Sequence, residues 1–159
     1  MSTHAPLPDL DEEDLKILRE LQKDGRAGYS DISRETGIPT STVHDKIKKM
    51  VKNGVIERFT VRLDRRAMGV NITSVIGVGT TTKFYRQVAE ELVSVYEVSE
   101  VYGTTAEFDL MVKVQAESRD DLNRIVTHIR SMEGIDDIFI TSVLEVFKEE
   151  PVYPRLKAN

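Results

Sequence analysis

The sequence predicts an α+β protein in two parts, a winged helix-turn-helix followed by a βαββαβ domain. Two short helical segments meet at Gly37, as in a helix-turn-helix, and a short alternating segment follows them. The second half of the chain then changes repeatedly between strand-like and helix-like patterns. The order βαββαβ is that of a ferredoxin-like α/β sandwich, in which both helices cover one face of an antiparallel four-stranded sheet.

The composition is that of an ordinary globular protein, with 31% charged and 40% hydrophobic residues among 159. No apolar run approaches the roughly 18 residues of a membrane span, and the N-terminus lacks a signal segment. We therefore expect a cytoplasmic protein with no membrane partner. The absence of cysteine excludes disulfides and thiolate chemistry. The histidines (His4, His44 and His128) are too scattered for a metal cluster, so we expect no metal and no cofactor.

The composition divides the chain into five segments: a flexible arm (1–9), the winged helix-turn-helix (10–64), a connector (65–69), the βαββαβ domain (70–150) and a tail (151–159). At the start of the second segment, Asp11 is placed to cap a helix whose first turn is acidic, and Gly25 to end it. One side of this helix is apolar: Leu15, Ile17, Leu18 and Leu21. We expect it to be the scaffold for the two helices that follow.

The helix-turn-helix is predicted as one helix from Tyr29 to Thr36, a turn at Gly37 and a second helix from Thr40 to Asn53. The second helix has an apolar stripe at i, i+4, i+7 and i+8, formed by Val43, Ile47, Met50 and Val51. Lysines, which suit phosphates, and short polar side chains, which suit base edges, occupy its other sides. This pattern predicts a helix that lies in a DNA major groove. The alternative is an ordinary helical hairpin with a solvated lysine face.

The charge distribution favours the DNA-binding interpretation. The formal net charge is -5, which by itself argues against a nucleic-acid partner. Residues 46–66, however, hold eight basic and two acidic side chains, a net of +6. The positive charge is therefore a patch that begins in the second helix of the helix-turn-helix.

A wing is predicted directly after this helix. From Phe59 to Asp64 apolar and polar residues alternate strictly, so we expect a short strand or a pair of strands beside the helices. Arg58 and Arg62 could reach the phosphates that flank the groove. The alternative is a solvent-facing strand edge that its charges keep soluble.

The second half carries predicted strands at 70–79, 98–104, 108–114 and 135–147, and predicted helices at 84–96 and from Ser118 to Gly134. Ser118 and Asp121 have the spacing of a capping box. Several strands are apolar on both faces, so something besides the helices must cover the other face of the sheet. We expect the same face of a second subunit, which gives a symmetric homodimer and suits a pseudo-palindromic DNA site.

Four stretches are specific when taken together: LDEEDLKILRELQKDGR (10–26), VHDKIKKMVKNGVI (43–56), FTVRLD (59–64) and TAEFDLMVKV (105–114). With the two-part architecture, they resemble the Lrp/AsnC family, the leucine-responsive or feast/famine transcription regulators. The resemblance implies double-stranded promoter DNA as partner, and a RAM (ACT-like) domain whose dimers assemble into tetramers or octamers. The predicted DNA-binding residues are Tyr29, Thr40, Ser41, Thr42, His44, Asp45, Lys46, Lys48, Lys49, Lys52, Arg58 and Arg62.

The resemblance also implies an amino acid effector, bound between dimers by the loop before the third strand and by the last strand. That loop usually has the pattern Thr/Ser-Gly-x-x-Asp, and here Ala106 replaces the glycine while Asp109 matches. The implied effector-binding residues are Thr104, Thr105, Ala106, Glu107, Phe108, Asp109, Thr141 and Ser142. Asp109 would bind the ammonium group of the effector. The alternative is that Asp109 caps the turn into the strand.

Other functions have less support in the sequence. The run Gly77 to Thr81 superficially resembles a phosphate-binding loop, but it lacks the full spacing and the lysine. Some haem-pathway decarboxylases share the two-part architecture, yet no His or Arg lies between Val98 and Val114 to supply acid–base chemistry. We therefore predict no catalytic residues and no enzyme. An architectural protein that binds DNA with little sequence preference and no effector remains the alternative.

Overall fold

The structure is a computed structural model that describes residues 10–149, and its contacts divide them into two compact units, 10–62 and 63–149. The first unit contains three helices: α1 (Glu12–Lys23), α2 (Tyr29–Thr36) and α3 (Thr40–Lys52). The second contains β1 (Ile72–Thr80), α4 (Tyr85–Ser94), β2 (Val98–Gly103), β3 (Leu110–Ala116), α5 (Arg119–Arg130) and β4 (Ile135–Ser142). The predicted arm (1–9) and the whole of the predicted tail (151–159) lie outside the described residues.

Local sequence signals set the helix ends of the first unit. Asp11 caps α1 as predicted, and Asp14 completes a reciprocal capping box with it. α1 ends at Asp24 in extended backbone, one residue before the predicted Gly25. Gly37 ends α2 in the left-handed region, with φ of 73°, a conformation that glycine adopts without steric cost.

The core of the first unit lies between the three helices. It consists of Ile17, Ile32, Ile38, Val43, Ile47 and Met50. Each fully buried aliphatic side chain stabilises such a core by about 1.5–3 kcal/mol. The predicted stripe is wrong at its last member, because Val51 is 46% exposed. At about 100° per residue, Val51 is turned away from the side of α3 that faces the other two helices.

The predicted wing strand is absent from residues 53–71 of the described chain. Val55 and Ile56 pack against the core, but the alternating side chains of Phe59, Val61 and Leu63 are 56%, 72% and 58% exposed. A strand requires a neighbour to pair its backbone N–H and C=O groups, and the described part of one chain places none beside this segment. The alternation therefore predicted a strand that the described chain does not form.

The second unit has the predicted βαββαβ order. Its sheet has the strand order β2-β3-β1-β4, with every neighbouring pair antiparallel. β4 ends at Ser142, whereas residue 147 was predicted. Its neighbour β1 begins at Ile72, close to the point where Val143 N donates to the Thr73 carbonyl, so β1 offers no partner to the residues that follow. Ser118 caps α5 by accepting from Asp121 N, whereas the Asp121 carboxylate accepts from Glu117 N, so the capping box is not reciprocal.

Both helices cover one face of the sheet, as predicted. Strand residues such as Ile76, Val78, Val112 and Val114 form one buried cluster with residues of α4 and α5. We call the opposite side the open face. The strand registers assign to it Thr73, Val75, Gly77, Gly79, Glu100, Tyr102, Met111, Lys113, Gln115, Asp137, Phe139 and Thr141. No helix among residues 10–149 has the length and apolarity to cross a membrane.

Gly77 allows the Phe108 ring to lie against the open face. A Cβ at Gly77 would lie 2.5 Å from Phe108 Cδ2, and the ring also stacks on Phe139 with centroids 6.0 Å apart. Gly77→Ala is therefore expected to destabilise the protein by about 1–3 kcal/mol through overpacking. Gly79→Ala is the matched control, because its Cβ meets atoms only at ordinary contact distances from 3.6 Å. Denaturant unfolding measures both, and equal midpoints would contradict the close packing.

Candidate nucleic-acid interface and effector loop

One side of α3 is exposed and predominantly basic. The buried positions Val43, Ile47 and Met50 hold the helix against the core of the first unit. We call the opposite side the reading face, and it comprises Ser41, His44, Asp45, Lys48, Lys49 and Lys52, all of them exposed. Thr40 is exposed in the first turn, and Thr42 is half-buried. The structure therefore brings together most of the predicted DNA-binding residues of this helix.

Lys46 differs from the other predicted residues of this helix, because it is paired with carboxylates of α1. Its ammonium lies 2.5 Å from Asp11 Oδ2, 3.1 Å from Asp14 Oδ1 and 3.5 Å from Glu13 Oε2, and its side chain is only 16% exposed. Asp14 is itself buried. Lys46 thus ties α3 to the first turn of α1, and its charge is neutralised there. We therefore exclude Lys46 from the interface.

The pKa shifts agree with this ion cluster. The hydrogen bond from the Lys46 ammonium, supported by that from Asp14 N, holds the pKa of Asp11 below its ordinary value. Burial alone would lower the pKa of Lys46, but its hydrogen bonds to Asp11 and Asp14 outweigh burial, and the pKa of Lys46 is raised. Both shifts favour the charged forms, as expected for paired ions.

Acid is expected to remove the contribution of Asp11 to stability. Its folded pKa lies below the unfolded value of about 3.9, so the contribution is complete above that value and is lost as the pH falls through the folded pKa. Urea unfolding of the wild type and of Asp11→Asn should give different midpoints at neutral pH and converging midpoints at about pH 2. A difference that persists unchanged in acid would contradict the assignment of this ion pair.

Tyr29 reaches the reading face from the start of α2. Its ring meets that of His44 edge-on, with centroids 5.2 Å apart. His44 Nδ1 lies 3.1 Å from Asp45 Oδ1. The predicted residue from α2 and two predicted residues from α3 therefore form one connected group. Arg58 and Arg62 are exposed on the irregular segment after α3.

The predicted effector loop, residues 104–109, is closed by its own hydrogen bonds. Thr104 N donates to the Asp109 carbonyl at 2.9 Å, and the Thr104 hydroxyl donates to the Phe108 carbonyl. The Asp109 carboxylate accepts from Thr80 N at 2.7 Å and from the Thr80 hydroxyl at 3.2 Å. Asp109 thus joins the loop to the end of β1, a contact that differs from the predicted cap of the turn into β3. Thr105, Ala106 and Glu107 are exposed at the tip of the loop.

Thr141 and Ser142 lie at the other end of the sheet within one chain. The loop adjoins Thr80, which pairs with Ile135 at the start of β4, whereas Ser142 pairs with Ser74. At about 3.3 Å per residue, six positions along β4 separate Ile135 from Thr141 by roughly 20 Å. A single chain therefore does not bring the two halves of the predicted effector site together.

Two contacts at these sites could not be found from the sequence. Thr80 is 29 residues from Asp109, and Lys46 is 35 residues from Asp11. Neither pair belongs to a motif with fixed spacing, and the acidic first turn of α1 was fully explained by the helix dipole. Among residues 10–149, no cluster of three His, Asp or Glu side chains is placed to hold a metal.

Two family models match the chain. Residues 10–57 match the one described as winged helix-turn-helix DNA-binding, and residues 73–153 match the one described as Lrp/AsnC ligand binding domain. The chain belongs to the Lrp/AsnC family. This Lrp/AsnC protein is a transcription regulator with a DNA-binding domain and an effector-binding domain, which confirms the interpretation of its sequence.

Similar proteins extend over nearly the whole chain. HTH-type transcriptional regulator FL11 of Pyrococcus furiosus is 37% identical over 145 residues, which cover 91% of this chain and 96% of that protein. Among solved structures, AsnC of E. coli gives a TM-score of 0.87 at 25% identity and covers 92% of this chain and 99% of its own. A Neisseria meningitidis transcriptional regulator in complex with L-Met gives the same TM-score at 22% identity, with 92% and 97% coverage, and supports the fold.

Proposed function

We propose that this Lrp/AsnC regulator binds a pseudo-palindromic promoter site in double-stranded DNA as a homodimer, through the reading face of α3. One observation carries this proposal. Lys48, Lys49 and Lys52 are exposed on one side of α3 and form no ion pair within residues 10–149, whereas Lys46 is paired with carboxylates of α1. Unpaired lysines on a helix that is anchored by its opposite side are suited to phosphates along a groove.

The start of α3 adds a second phosphate contact to this proposal. Its N-cap is Pro39, and no side chain in the described part of the chain accepts a hydrogen bond from the first-turn N–H groups. These N–H groups and the positive end of the helix dipole favour a DNA phosphate. Thr40, Ser41 and Thr42 then lie close to the base edges. Tyr29, Arg58 and Arg62 complete the proposed interface from the neighbouring segments.

We propose that the open face forms the homodimer. It presents Tyr102 and Phe139, which are 56% and 59% exposed, and the Phe108 ring lies beside them. Exposed aromatic side chains on a sheet face are commonly covered by a partner, and the same face of a second copy is self-complementary. Dimers of this kind would then assemble into tetramers or octamers. We place the regulator in the cytoplasm, where it meets its promoter.

An amino acid is the effector that we propose for the second domain. The closed loop at 104–109 presents the Thr105 hydroxyl and the Glu107 carboxylate at its tip, and Thr141 and Ser142 of another subunit would supply the remaining polar groups. Asp109 would hold the loop in shape rather than bind the ammonium directly, because its carboxylate already accepts two hydrogen bonds from Thr80. Titration with each of the twenty amino acids, followed by the change in DNA affinity, tests this assignment.

A salt series tests the proposed interface. Affinity for a fragment of the protein's own promoter and for a scrambled fragment is measured with the wild type, Lys48→Ala, Lys49→Ala and Arg130→Ala. Each lost phosphate contact should make the slope of log K against log[salt] shallower by about 0.9. Arg130 is the matched control, because it is an exposed cation on α5 in the other unit. The wild type should prefer the promoter by about 10³-fold or more.

Two outcomes would contradict this proposal in different ways. If the slope of log K against log[salt] becomes shallower in Arg130→Ala but not in Lys48→Ala or Lys49→Ala, the DNA interface lies elsewhere. A steep slope without preference for the promoter would make the protein a low-specificity, architectural DNA-binding protein. The second outcome would leave the interface intact and remove only the sequence-specific part of the function.

A further inference from the structure

Asp45 is the one carboxylate on the reading face. It is the sixth residue of α3, and its side chain is 80% exposed. Lys48 and Lys49 follow it at i+3 and i+4, the spacings at which helical ion pairs form, yet within residues 10–149 its one polar side-chain contact is with His44. The carboxylate therefore remains available on a surface that is otherwise basic.

Neither the stability of α3 nor contact with the DNA backbone accounts for a carboxylate here. The helix dipole favours acidic groups only in the first turn, and the sixth residue lies beyond it. Close to phosphates, a negative side chain is repelled and lowers affinity. At about 100° per residue, Asp45 lies almost directly opposite the buried stripe of Val43, Ile47 and Met50. It must therefore face the floor of the groove if the lysines beside it contact the phosphates.

From these positions we infer that Asp45 is a specificity-determining residue that accepts a hydrogen bond from the N4 amino group of a cytosine. This inference rests on the proposed interface. A carboxylate only accepts hydrogen bonds, so it meets repulsive acceptors at the major-groove edge of guanine and at O4 of thymine. Adenine offers one donor beside an acceptor and is matched better by an amide. Cytosine presents the amino group that a carboxylate matches.

The contacts around Asp45 orient its carboxylate before DNA arrives. Because an ionised carboxylate cannot donate, the 3.1 Å contact requires His44 Nδ1 to donate to Asp45 Oδ1. The edge-on ring contact with Tyr29, on α2, further restrains the His44 ring. A donor so placed leaves the second carboxylate oxygen for the base. His44 and Tyr29 thus act as positioning residues for Asp45.

The test compares base preferences of the full chain on a randomised half-site library. The proteins are the wild type, Asp45→Asn, Asp45→Ala and the control Asp136→Asn, an exposed aspartate on β4 in the other unit. The wild type should prefer cytosine at one position of each half-site by roughly 5- to 150-fold. Asp45→Ala should lose this preference and keep the others. Asp45→Asn should shift the same position toward adenine, and Asp136→Asn should match the wild type.

The outcomes separate this inference from the proposed function. If the wild type selects a site and the Asp45 variants select the same site with uniformly higher affinity, Asp45 is a solvated surface charge and the inference fails alone. A lost preference at a base other than cytosine also overturns it. If the wild type shows no preference at any position, the proposed sequence-specific function fails as well. Equal thermal unfolding midpoints for the four proteins confirm that the comparison is between folded chains.

Discussion

Lys46→Met is expected to destabilise the helix-turn-helix unit by about 1–3 kcal/mol, because it removes the cation from a buried carboxylate. Asp14 is 6% exposed and would lose the ammonium that lies 3.1 Å from its Oδ1. Methionine conserves most of the length and apolar stem of lysine, so the loss reports the charge rather than a cavity. Denaturant unfolding of the full chain measures the effect. Lys48→Met is the control, since it changes an exposed lysine of the same helix.

The same variant distinguishes a structural lysine from a DNA contact. Lys46→Arg should restore stability, because a guanidinium can also bridge the carboxylates of Asp11 and Asp14. With folded protein, Lys46→Met should leave the salt slope of DNA binding unchanged. If Lys46→Met is as stable as Lys48→Met and its salt slope is shallower than that of the wild type by about 0.9, Lys46 contacts phosphate, as the sequence alone suggested.

Phe139→Lys is expected to turn the homodimer into a monomer. Phe139 lies midway along the edge strand β4 on the open face, stacked on Phe108 and 59% exposed. A second copy on that face would have to bury the introduced ammonium. Burial of an unpaired charge costs several kcal/mol, which a subunit interface cannot offset. Sedimentation should show the mass of a single chain, whereas the wild type should have the mass of a dimer or of a larger assembly of dimers. Affinity for a pseudo-palindromic site should fall by about 10²- to 10⁴-fold, because the two half-sites are then bound independently.

Val93→Lys is the matched control for this experiment. Val93 is 70% exposed on α4, which covers the other face of the sheet. The same charge there should change neither the mass nor the DNA affinity. A Phe139→Lys protein that keeps the wild-type mass would show that the open face is not the dimer interface. Loss of dimer in both variants would point instead to an interface on the helical side.

Local patterns were sufficient for most of the fold. The period of the apolar residues identified α3 and the strands, and it also indicated which side of each is buried, because the core selects one face of a helix or sheet. Gly37 and Ser118 marked element ends through their own backbone and side-chain preferences. The same kind of pattern wrongly predicted the wing strand. Alternation is typical of a strand, but a strand also needs a paired neighbour, which the segment itself does not specify.

The candidate sites likewise divide into features set by local sequence and features set by contacts between distant residues. The sequence by itself determined the two-part fold, the family and the basic reading face of α3, because each depends on residues that lie close together along the chain. Only the tertiary structure decided that Lys46 pairs with Asp11 and Asp14, that Asp109 is held by Thr80, and that Thr141 lies far from the effector loop. The physical reason is that a charged side chain takes whichever partner the packed chain brings near it. Here those partners are 29 to 35 residues away.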